Sequence, residues 1–236
     1  MPPSCPFCKI AAAHLPVPPT YYLPTTDSSH HAESAKTASP TPTPTTALSA
    51  GEEGHAFLIL STHHVLAFLD IMPLTQGHVL VVPRQHHEKL GEVGVRISRE
   101  LGTWLPILSR AIMRTVFKES TTEPDPNSDS DRDSTLTDES WHWNIVQNNG
   151  AGAAQVVPHV HFHIVPRPPL GVASTGAKMS FIMFGRGSRE DLDDDEAENL
   201  VAALREGVAR EVVRVKEVEG IDLEAEFGGG GEKGRL

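Results

Sequence analysis

The sequence predicts an α+β domain in which an antiparallel sheet of about five strands is combined with one main helix and a C-terminal helix. Three observations predict this class. Five short apolar runs are separated by turn residues or polar loops, as in strands joined through short or insertable connections. Residues 95–117 carry apolar side chains at spacings near three and four, which is typical of an amphipathic helix. Residues 189–217 show a second stripe of that kind.

The predicted strands follow the order of the apolar runs. Residues 55–71 contain two runs broken by polar residues, which predicts a hairpin, and residues 77–83 supply a third strand that Pro83 ends. Residues 143–147 and 159–165 predict two further strands around a loop rich in Gly and Ala.

Two amphipathic helices complete the predicted domain. Pro106 lies inside the first one and marks the point where a kink is expected. The second helix begins with carboxylates, which suit a helix N-terminus, and its stripe predicts packing against the domain or against a second chain. The apolar positions of the two helices are Ile97, Leu101, Trp104, Leu105, Leu108, Ile112 and Phe117, and Leu200, Leu204, Val208, Val212 and Val215.

Two polar segments interrupt the pattern. Residues 17–54 are rich in Pro, Thr, Ser and Ala, and residues 119–140 are acidic and polar, so both are interpreted as disordered insertions. The predicted domain therefore covers residues 1–170 with these insertions. Residues 171–236 form a C-terminal extension with one helix and a flexible tail.

Charge and cysteine content narrow the class of protein. The 236 residues carry a formal net charge of −11, which disfavours duplex nucleic acid as a partner but permits a small anion bound by local amides and histidines. Two cysteines, Cys5 and Cys8, cannot make a disulfide framework. No apolar run approaches the roughly 20 residues that span a bilayer. We therefore expect no membrane partner and a reducing location, in the cytoplasm or also in the nucleus.

The stretch "PHVHFHIVP" at 158–166 carries three histidines at two-residue spacing. On a strand His159, His161 and His163 share one face, while the apolar residues between them enter the core. Such a row suits metal ligation, or covalent catalysis in which one imidazole attacks and its neighbours orient it. The preceding loop, with Asn148, Asn149 and small residues to Ala154, suits a phosphate nest and favours the second chemistry.

These residues resemble the histidine triad (HIT) superfamily, in its nucleotide-binding, adenosine phosphoramidase-like branch. The resemblance extends over "SCPFCKI", "VLAFLDIMPLTQGHVLVVPRQH", "VQNNG" and "AAQVVPHVHFHIVPR". It implies a HIT-like fold and a hydrolase or transferase that cleaves nucleoside 5'-phosphoramidates, of the AMP-amine or AMP-lysine type, through a nucleotidyl-histidine intermediate. It also implies a purine nucleotide substrate and a homodimer.

The resemblance assigns roles to individual residues. His161 would be the nucleophile and His163 would bind the phosphate. His159 would lie behind the nucleophile, and His78 and His86 would orient it and couple it to protons. The nucleotide-binding set would be Asp70 at the ribose, Ile71 and Phe68 at the base, and Asn148 with the backbone of Ala154, Gln155 and Val156 at the phosphate, together with His161 and His163. Ordinary core packing is the alternative for Phe68 and Ile71.

Zinc-carrying members of the family imply a structural metal site. Its four ligands would be Cys5, Cys8, His86 and His159, with His87 as the register alternative to His86. All four positions of a tetrahedral ion would then be filled, so none remains for a reacting water.

Two departures and three alternatives stand beside this prediction. Val156 occupies a position where the family often has Ser or Thr, and no Trp follows Trp143, where the small nucleotide-binding members end in a Trp-containing segment. The alternatives are a dinucleoside polyphosphate hydrolase, a nucleotide-binding scaffold with vestigial activity, and a hydrolase that uses all three histidines as metal ligands. The "FLDI" segment and the CxxC pair argue against the first alternative.

Overall fold

A single antiparallel sheet organises the chain. The computed structural model describes residues 5–24, 54–118, 141–167 and 192–227. The five strands are β1 (Leu58–Ser61), β2 (Val65–Leu69), β3 (Val79–Pro83), β4 (His142–Gln147) and β5 (Phe162–Arg167). Their order in the sheet is β1-β2-β3-β5-β4, and every neighbouring pair is antiparallel. The predicted α+β class and the number of strands are therefore confirmed.

Four helices accompany the sheet within the described ranges. They are α1 (Pro6–Ala13), α2 (Val95–Lys118), α3 (Asp194–Glu219) and α4 (Leu223–Phe227). The main predicted helix corresponds to α2, which contains Pro106. None of these helices is both long and apolar enough to cross a bilayer.

The two faces of the sheet are covered differently. Alternation along the strands places Leu69, Val79 and Ile164 on the face that packs against α2 and α3. Phe68 and Leu80 point to the opposite face, where they pack with residues of α1. His163 pairs with Leu80 across β3 and β5, so it lies on the α1 face.

The C-terminal helix is part of the main core. Leu204 and Val208 of α3 are 0% and 1% exposed and belong to the same buried cluster as the sheet and α2. Arg205 donates from Nε to the carbonyl of Leu58 in β1 at 2.7 Å. The extension was predicted to hold one helix over 189–217, whereas the structure has α3 five residues later at its start and a second helix, α4. Gly220 has a left-handed conformation, with φ 70°, which ends α3 and lets the chain turn into α4.

The predicted insertion at 17–54 starts too early. Val17 donates its N–H to Ser61 of β1 at 2.8 Å, and Pro19–Tyr22 form a 3₁₀ turn. Thr20 binds the carboxylate of Glu224 through its N–H at 2.9 Å and through its hydroxyl at 2.6 Å. These partners are distant in sequence, so composition alone did not indicate that residues 17–24 are ordered. Residues 25–53 and the predicted insertion 119–140 lie outside the described residues, as does the tail beyond 227.

Candidate active site

Two of the three histidines precede the strand on which all three were predicted. β5 begins at Phe162, so only His163 lies within it. At 160 the chain instead pairs with the loop after β3, because the Val160 N–H donates to the carbonyl of His87 at 2.7 Å. The expected alternation nevertheless holds at the buried positions, where Val160 and Ile164 are both fully buried.

The imidazole of His161 has one nitrogen fixed by the backbone. Its Nδ1 lies 2.6 Å from the carbonyl oxygen of His159. A carbonyl oxygen only accepts, so Nδ1 carries the proton and Nε2 of the neutral ring holds a lone pair. Among the described residues none hydrogen-bonds to this Nε2, and the residue is 5% exposed. This is the tautomer that a nucleophilic imidazole requires.

A chain of hydrogen bonds fixes His163 in a different way. The backbone N–H of Leu74 lies 3.1 Å from Nδ1 of His78, which makes that nitrogen an acceptor. Nε2 of His78 therefore carries the proton and donates to Nδ1 of His163 at 2.9 Å. The remaining proton of a neutral His163 is then on Nε2. Nε2 of His163 is therefore a hydrogen-bond donor, whereas Nε2 of His161 carries a lone pair.

Asp70 lies at the far end of this chain. Its Oδ1 accepts the N–H of Met72 at 3.0 Å, and its Oδ2 lies 3.4 Å from Nδ1 of His78. Because Leu74 already donates to that nitrogen at the shorter distance, Asp70 becomes a hydrogen-bond acceptor for it only if His78 is protonated. Asp70, His78 and His163 also have ligand atoms within 4.8 Å of one another. An ion bound there would compete with the hydrogen bonds that join His78 to Leu74 and His163, so we interpret the group as a relay.

The residues predicted at the base separate into two environments. Phe68 is 3% exposed and packs against Phe7, with ring centroids 5.6 Å apart. Ile71 is 61% exposed and follows Asp70 directly. Its carbonyl accepts the N–H of Leu192 at 3.0 Å, so the segment just before α3 is attached beside this position.

The loop before the histidines is held by a glutamine side chain. Gln155 accepts the N–H of Gly150 at 2.5 Å and donates to the carbonyls of Glu88 at 2.8 Å and His159 at 3.3 Å. The loop also contains Ala154 at φ 63°, a left-handed conformation that is strained for a residue with a Cβ. Gln155 therefore supports the same carbonyl that fixes His161.

The predicted phosphate donors differ in availability. The N–H groups of Ala154 and Gln155 already donate to carbonyls of the loop itself, at 3.0 Å to Ala151 and 3.2 Å to Gly150. Among the described residues none accepts the N–H of Val156, whose side chain is 90% exposed. The side chain of Asn148 is half-buried at the end of β4. Of these three N–H groups, that of Val156 is the one without an acceptor among the described residues.

A second cluster lies behind His161. Cys5, Cys8, His86 and His159 have ligand atoms within 4.8 Å of one another, as the sequence predicted, and His87 is not part of the group. Cys5 Sγ is 3.4 Å and Cys8 Sγ 3.7 Å from Nδ1 of His159, and Cys8 Sγ is 3.4 Å from Nδ1 of His86. Sulfur and nitrogen ligands of a tetrahedral Zn²⁺ lie about 3.6 Å apart. The donor set therefore fits a metal ion of this kind.

The protonation of the cluster also suits a metal. His159 Nε2 lies 2.8 Å from the carbonyl of Pro83, so it carries the proton and leaves the lone pair of Nδ1 for an ion. Burial, with the neighbouring histidines, lowers the pKa of His159 to about 4, so the ring is neutral at pH 7. Burial raises the pKa of the Cys8 thiol to about 11, and its hydrogen bond with Cys5 adds to the effect. Cys8 must therefore lose a proton when it binds an ion.

Sequence reasoning gave no role to Phe7, although it lies between the two cysteines. Its ring makes edge-to-face contacts with His159 and His161, at centroid distances of 5.7 and 5.3 Å. The "CPFC" spacing could have indicated this position. A residue between two ligands of one site is held close to the neighbouring residues of that site, which here are His159 and His161.

Comparison with known proteins identifies the family. The HIT domain family model matches residues 52–170, which is half of the chain and includes all three histidines. The chain belongs to the HIT family. It is 33% identical over 112 residues to an adenosine 5'-monophosphoramidase of Candida albicans, a match covering 48% of this chain and 62% of that protein. A Schizosaccharomyces pombe protein of the same name is 35% identical over 103 residues, covering 44% of this chain and 58% of its own length.

A solved structure of the family is also similar. It is a Zn-bound histidine triad family protein from Mycobacterium smegmatis, 26% identical, with a TM-score of 0.43 over 66% of this chain and 85% of that protein.

Membership of the HIT family confirms the predicted resemblance. The matches to the two fungal relatives span about 60% of the lengths of those proteins.

Proposed function

We propose that the chain hydrolyses nucleoside 5'-phosphoramidates, such as AMP linked to an amine or a lysine, with His161 as the nucleophile. The observation that carries the proposal is the 2.6 Å hydrogen bond from His161 Nδ1 to the carbonyl of His159, which leaves Nε2 unprotonated. Two fungal relatives named adenosine 5'-monophosphoramidase support the choice of substrate class.

The reaction would proceed in two displacements. The lone pair of His161 Nε2 attacks the α-phosphorus, the P–N bond to the leaving group breaks, and the leaving nitrogen takes a proton from solvent water as the amine departs. Water then attacks the nucleotidyl-histidine and releases a proton to solvent, AMP departs, and the electron pair of the P–N bond returns to Nε2. His163, with its proton on Nε2, would donate to the phosphate oxygens in both steps, as would the N–H of Val156.

The nucleoside would be recognised by Asp70, at the end of the relay away from His163, and by the adjacent Ile71. Asp70 would bind the ribose hydroxyls, and the exposed Ile71 would cover the base. Phe68 is better suited to support this surface from the core, because it is buried against Phe7. His78 would connect the carboxylate of Asp70, which binds the ribose, with the imidazole of His163, which binds the phosphate.

We further propose that Cys5, Cys8, His86 and His159 hold a structural zinc ion. The supporting observation is the match between their spacing and tetrahedral coordination. With four protein ligands, the ion would supply cohesion between α1, the loop after β3 and the segment before β5, and no site for a reacting water.

A homodimer formed by joining two sheets is also proposed. β4 is an edge strand of the sheet, and its Ile145 and Val146 are 45% and 36% exposed. Light scattering would test this, and a monomer at micromolar concentration would contradict it.

The activity is tested by incubating the protein with adenosine 5'-phosphoramidate and measuring AMP. We expect turnover by the wild type, and a loss of at least about a thousandfold for His161→Ala, because a nucleophile is removed. His64→Ala, at the β1–β2 turn, is the matched control and should keep full activity. Acid-quenched wild-type reactions should contain a nucleotidyl-protein species that His161→Ala lacks.

The same assay separates the alternatives. Faster cleavage of diadenosine polyphosphates than of the phosphoramidate would favour a polyphosphate hydrolase. AMP binding without turnover of either substrate would favour a scaffold. Equal activity of wild type and His161→Ala would remove the proposed mechanism.

A further inference from the structure

The imidazole of His161 is enclosed by two rings as well as fixed by its hydrogen bond. Phe7 contacts it edge-to-face at a centroid distance of 5.3 Å and an interplanar angle of 73°. His163 contacts it at 4.9 Å and 71°. The hydrogen bond to the carbonyl of His159 sets the tautomer, whereas the two rings restrict how far the imidazole can turn about its Cβ–Cγ bond.

Phe7 is itself held firmly. It lies in the first turn of α1, between Cys5 and Cys8, and is 7% exposed. Its ring also touches Phe68 at 5.6 Å and His159 at 5.7 Å. Edge-to-face aromatic pairs are directional, so the two edge-to-face contacts with His159 and His161, together with the tilted contact with Phe68, favour one orientation of the ring.

We propose that Phe7 is a positioning residue for the nucleophile, which holds the imidazole of His161 so that Nε2 faces the α-phosphorus. The proposal rests on the proposed function. An attacking atom that is misaligned by a fraction of an ångström or some tens of degrees reacts more slowly even when the substrate is bound equally well. Loss of the ring should therefore lower kcat and leave KM nearly unchanged.

The position of Phe7 gives this contact a second consequence. Because Phe7 is flanked by two residues of the Cys/His cluster and touches a third, His159, the order of that cluster reaches His161 through this side chain as well as through the carbonyl of His159. Removing a metal from the cluster should loosen the same imidazole, which ring-proton chemical shifts would report independently of activity.

The test compares Phe7→Leu with Ile10→Val in the full chain, purified without chelator. Ile10 lies on the same helix and in the same buried cluster, so it controls for a general weakening of α1. For Phe7→Leu we expect kcat to fall by roughly three- to tenfold, the equivalent of one or two aromatic contacts, with KM within about twofold of wild type. Ile10→Val should retain wild-type kcat.

A spectroscopic readout separates positioning from packing. In protein labelled at histidine, the ring protons of His161 should lose the ring-current shift caused by Phe7 in Phe7→Leu and keep it in Ile10→Val. Chelation of the wild type should move the same signals part of the way. If Phe7→Leu does not fold, Phe7→Met, which is apolar and of similar volume, is measured by the same criteria.

Two results would overturn the proposal. One is an equal loss of kcat in Phe7→Leu and Ile10→Val at equal thermal stability. The other is a raised KM with unchanged kcat, which would place Phe7 at the nucleotide. Absence of turnover in the wild type would instead refute the proposed function, and the His161 ring-current shift would still report whether Phe7 holds the imidazole.

Discussion

Removal of metal from the Cys/His cluster should destabilise the whole chain by a predictable amount. The four donors converge from α1, from the loop after β3 and from the segment before β5, so an ion would join three parts of the fold. A ligand present at about a thousand times its dissociation constant stabilises the folded state by about 4 kcal/mol. For a chain of this size that corresponds to a fall in Tm of about 8 to 16 °C on chelation.

The assay combines metal analysis with thermal unfolding. Wild type should contain about one zinc per chain, in line with one closed four-ligand site, and should lose both metal and stability on chelation. His86→Ala should purify with little zinc and a Tm close to that of the chelated wild type. His87→Ala is the matched control, because His87 is the adjacent residue and is outside the cluster.

Two outcomes would refute this reasoning. One is a full zinc content in His86→Ala together with a loss in His87→Ala, which would place the ligand in the other register. The other is a wild type without metal whose Tm does not respond to chelator or to added zinc.

The same cluster should release protons when it binds metal. Because the pKa of the Cys8 thiol is raised to about 11, Cys8 is protonated at pH 7 and must give up its proton to become a ligand. The pKa of His159 is lowered to about 4, so this ring contributes no proton between pH 5 and 8. Calorimetry of zinc binding in two buffers of different ionisation enthalpy should therefore show proton release, and zinc affinity should fall as the pH is lowered. A binding enthalpy independent of the buffer would contradict it.

Three substitutions test other parts of the fold. Burial raises the pKa of Glu100, and the hydrogen bond with Thr62 offsets this rise only in part. The protonated carboxyl therefore contributes stability below the unfolded pKa near 4.5, and this stability is lost as pH rises through the folded pKa. Glu100→Gln should raise Tm at pH 7.5 and leave it unchanged at pH 4. Gln155→Ala leaves the N–H of Gly150 and the carbonyl of Glu88 unpaired and should cost about 2 kcal/mol in unfolding free energy, with a lower kcat, in denaturant and kinetic measurements. Leu204→Ala should cost about 3 kcal/mol because the side chain is fully buried, whereas a helix outside the core would lose little.

The elements that the sequence predicted well are those with a local periodic signal. The hairpin of β1 and β2, the strand closed by Pro83 and the long helix α2 all appear close to their expected bounds. The four residues expected as metal ligands also lie together in the structure, and His87 lies outside their group. The family resemblance supplied that set, because a CxxC pair alone names only two ligands.

Features that depend on contacts between distant segments were not predicted. The ordered residues 17–24 contact β1 and α4, and neither partner is visible from a Pro-rich composition. The start of β5 moved to Phe162 because Val160 pairs with His87 in a loop, which an alternating pattern cannot show. Gln155 was expected to offer its backbone, whereas its side chain holds the loop through Gly150.

The equal spacing of the three histidines conceals three different ways of fixing a tautomer. His159 donates a hydrogen bond from Nε2–H to the carbonyl of Pro83 and turns Nδ1 toward the cysteines, whereas His161 donates from Nδ1–H to the carbonyl of His159 and keeps a lone pair on Nε2. His163 accepts at Nδ1 a hydrogen bond from Nε2–H of His78, whose Nδ1 accepts the N–H of Leu74, and so carries its own proton on Nε2. Since each ring is fixed by a backbone carbonyl or by a histidine outside the row, the spacing alone could not have distinguished ligand, nucleophile and donor. The backbone carbonyls and one buried histidine make the distinction.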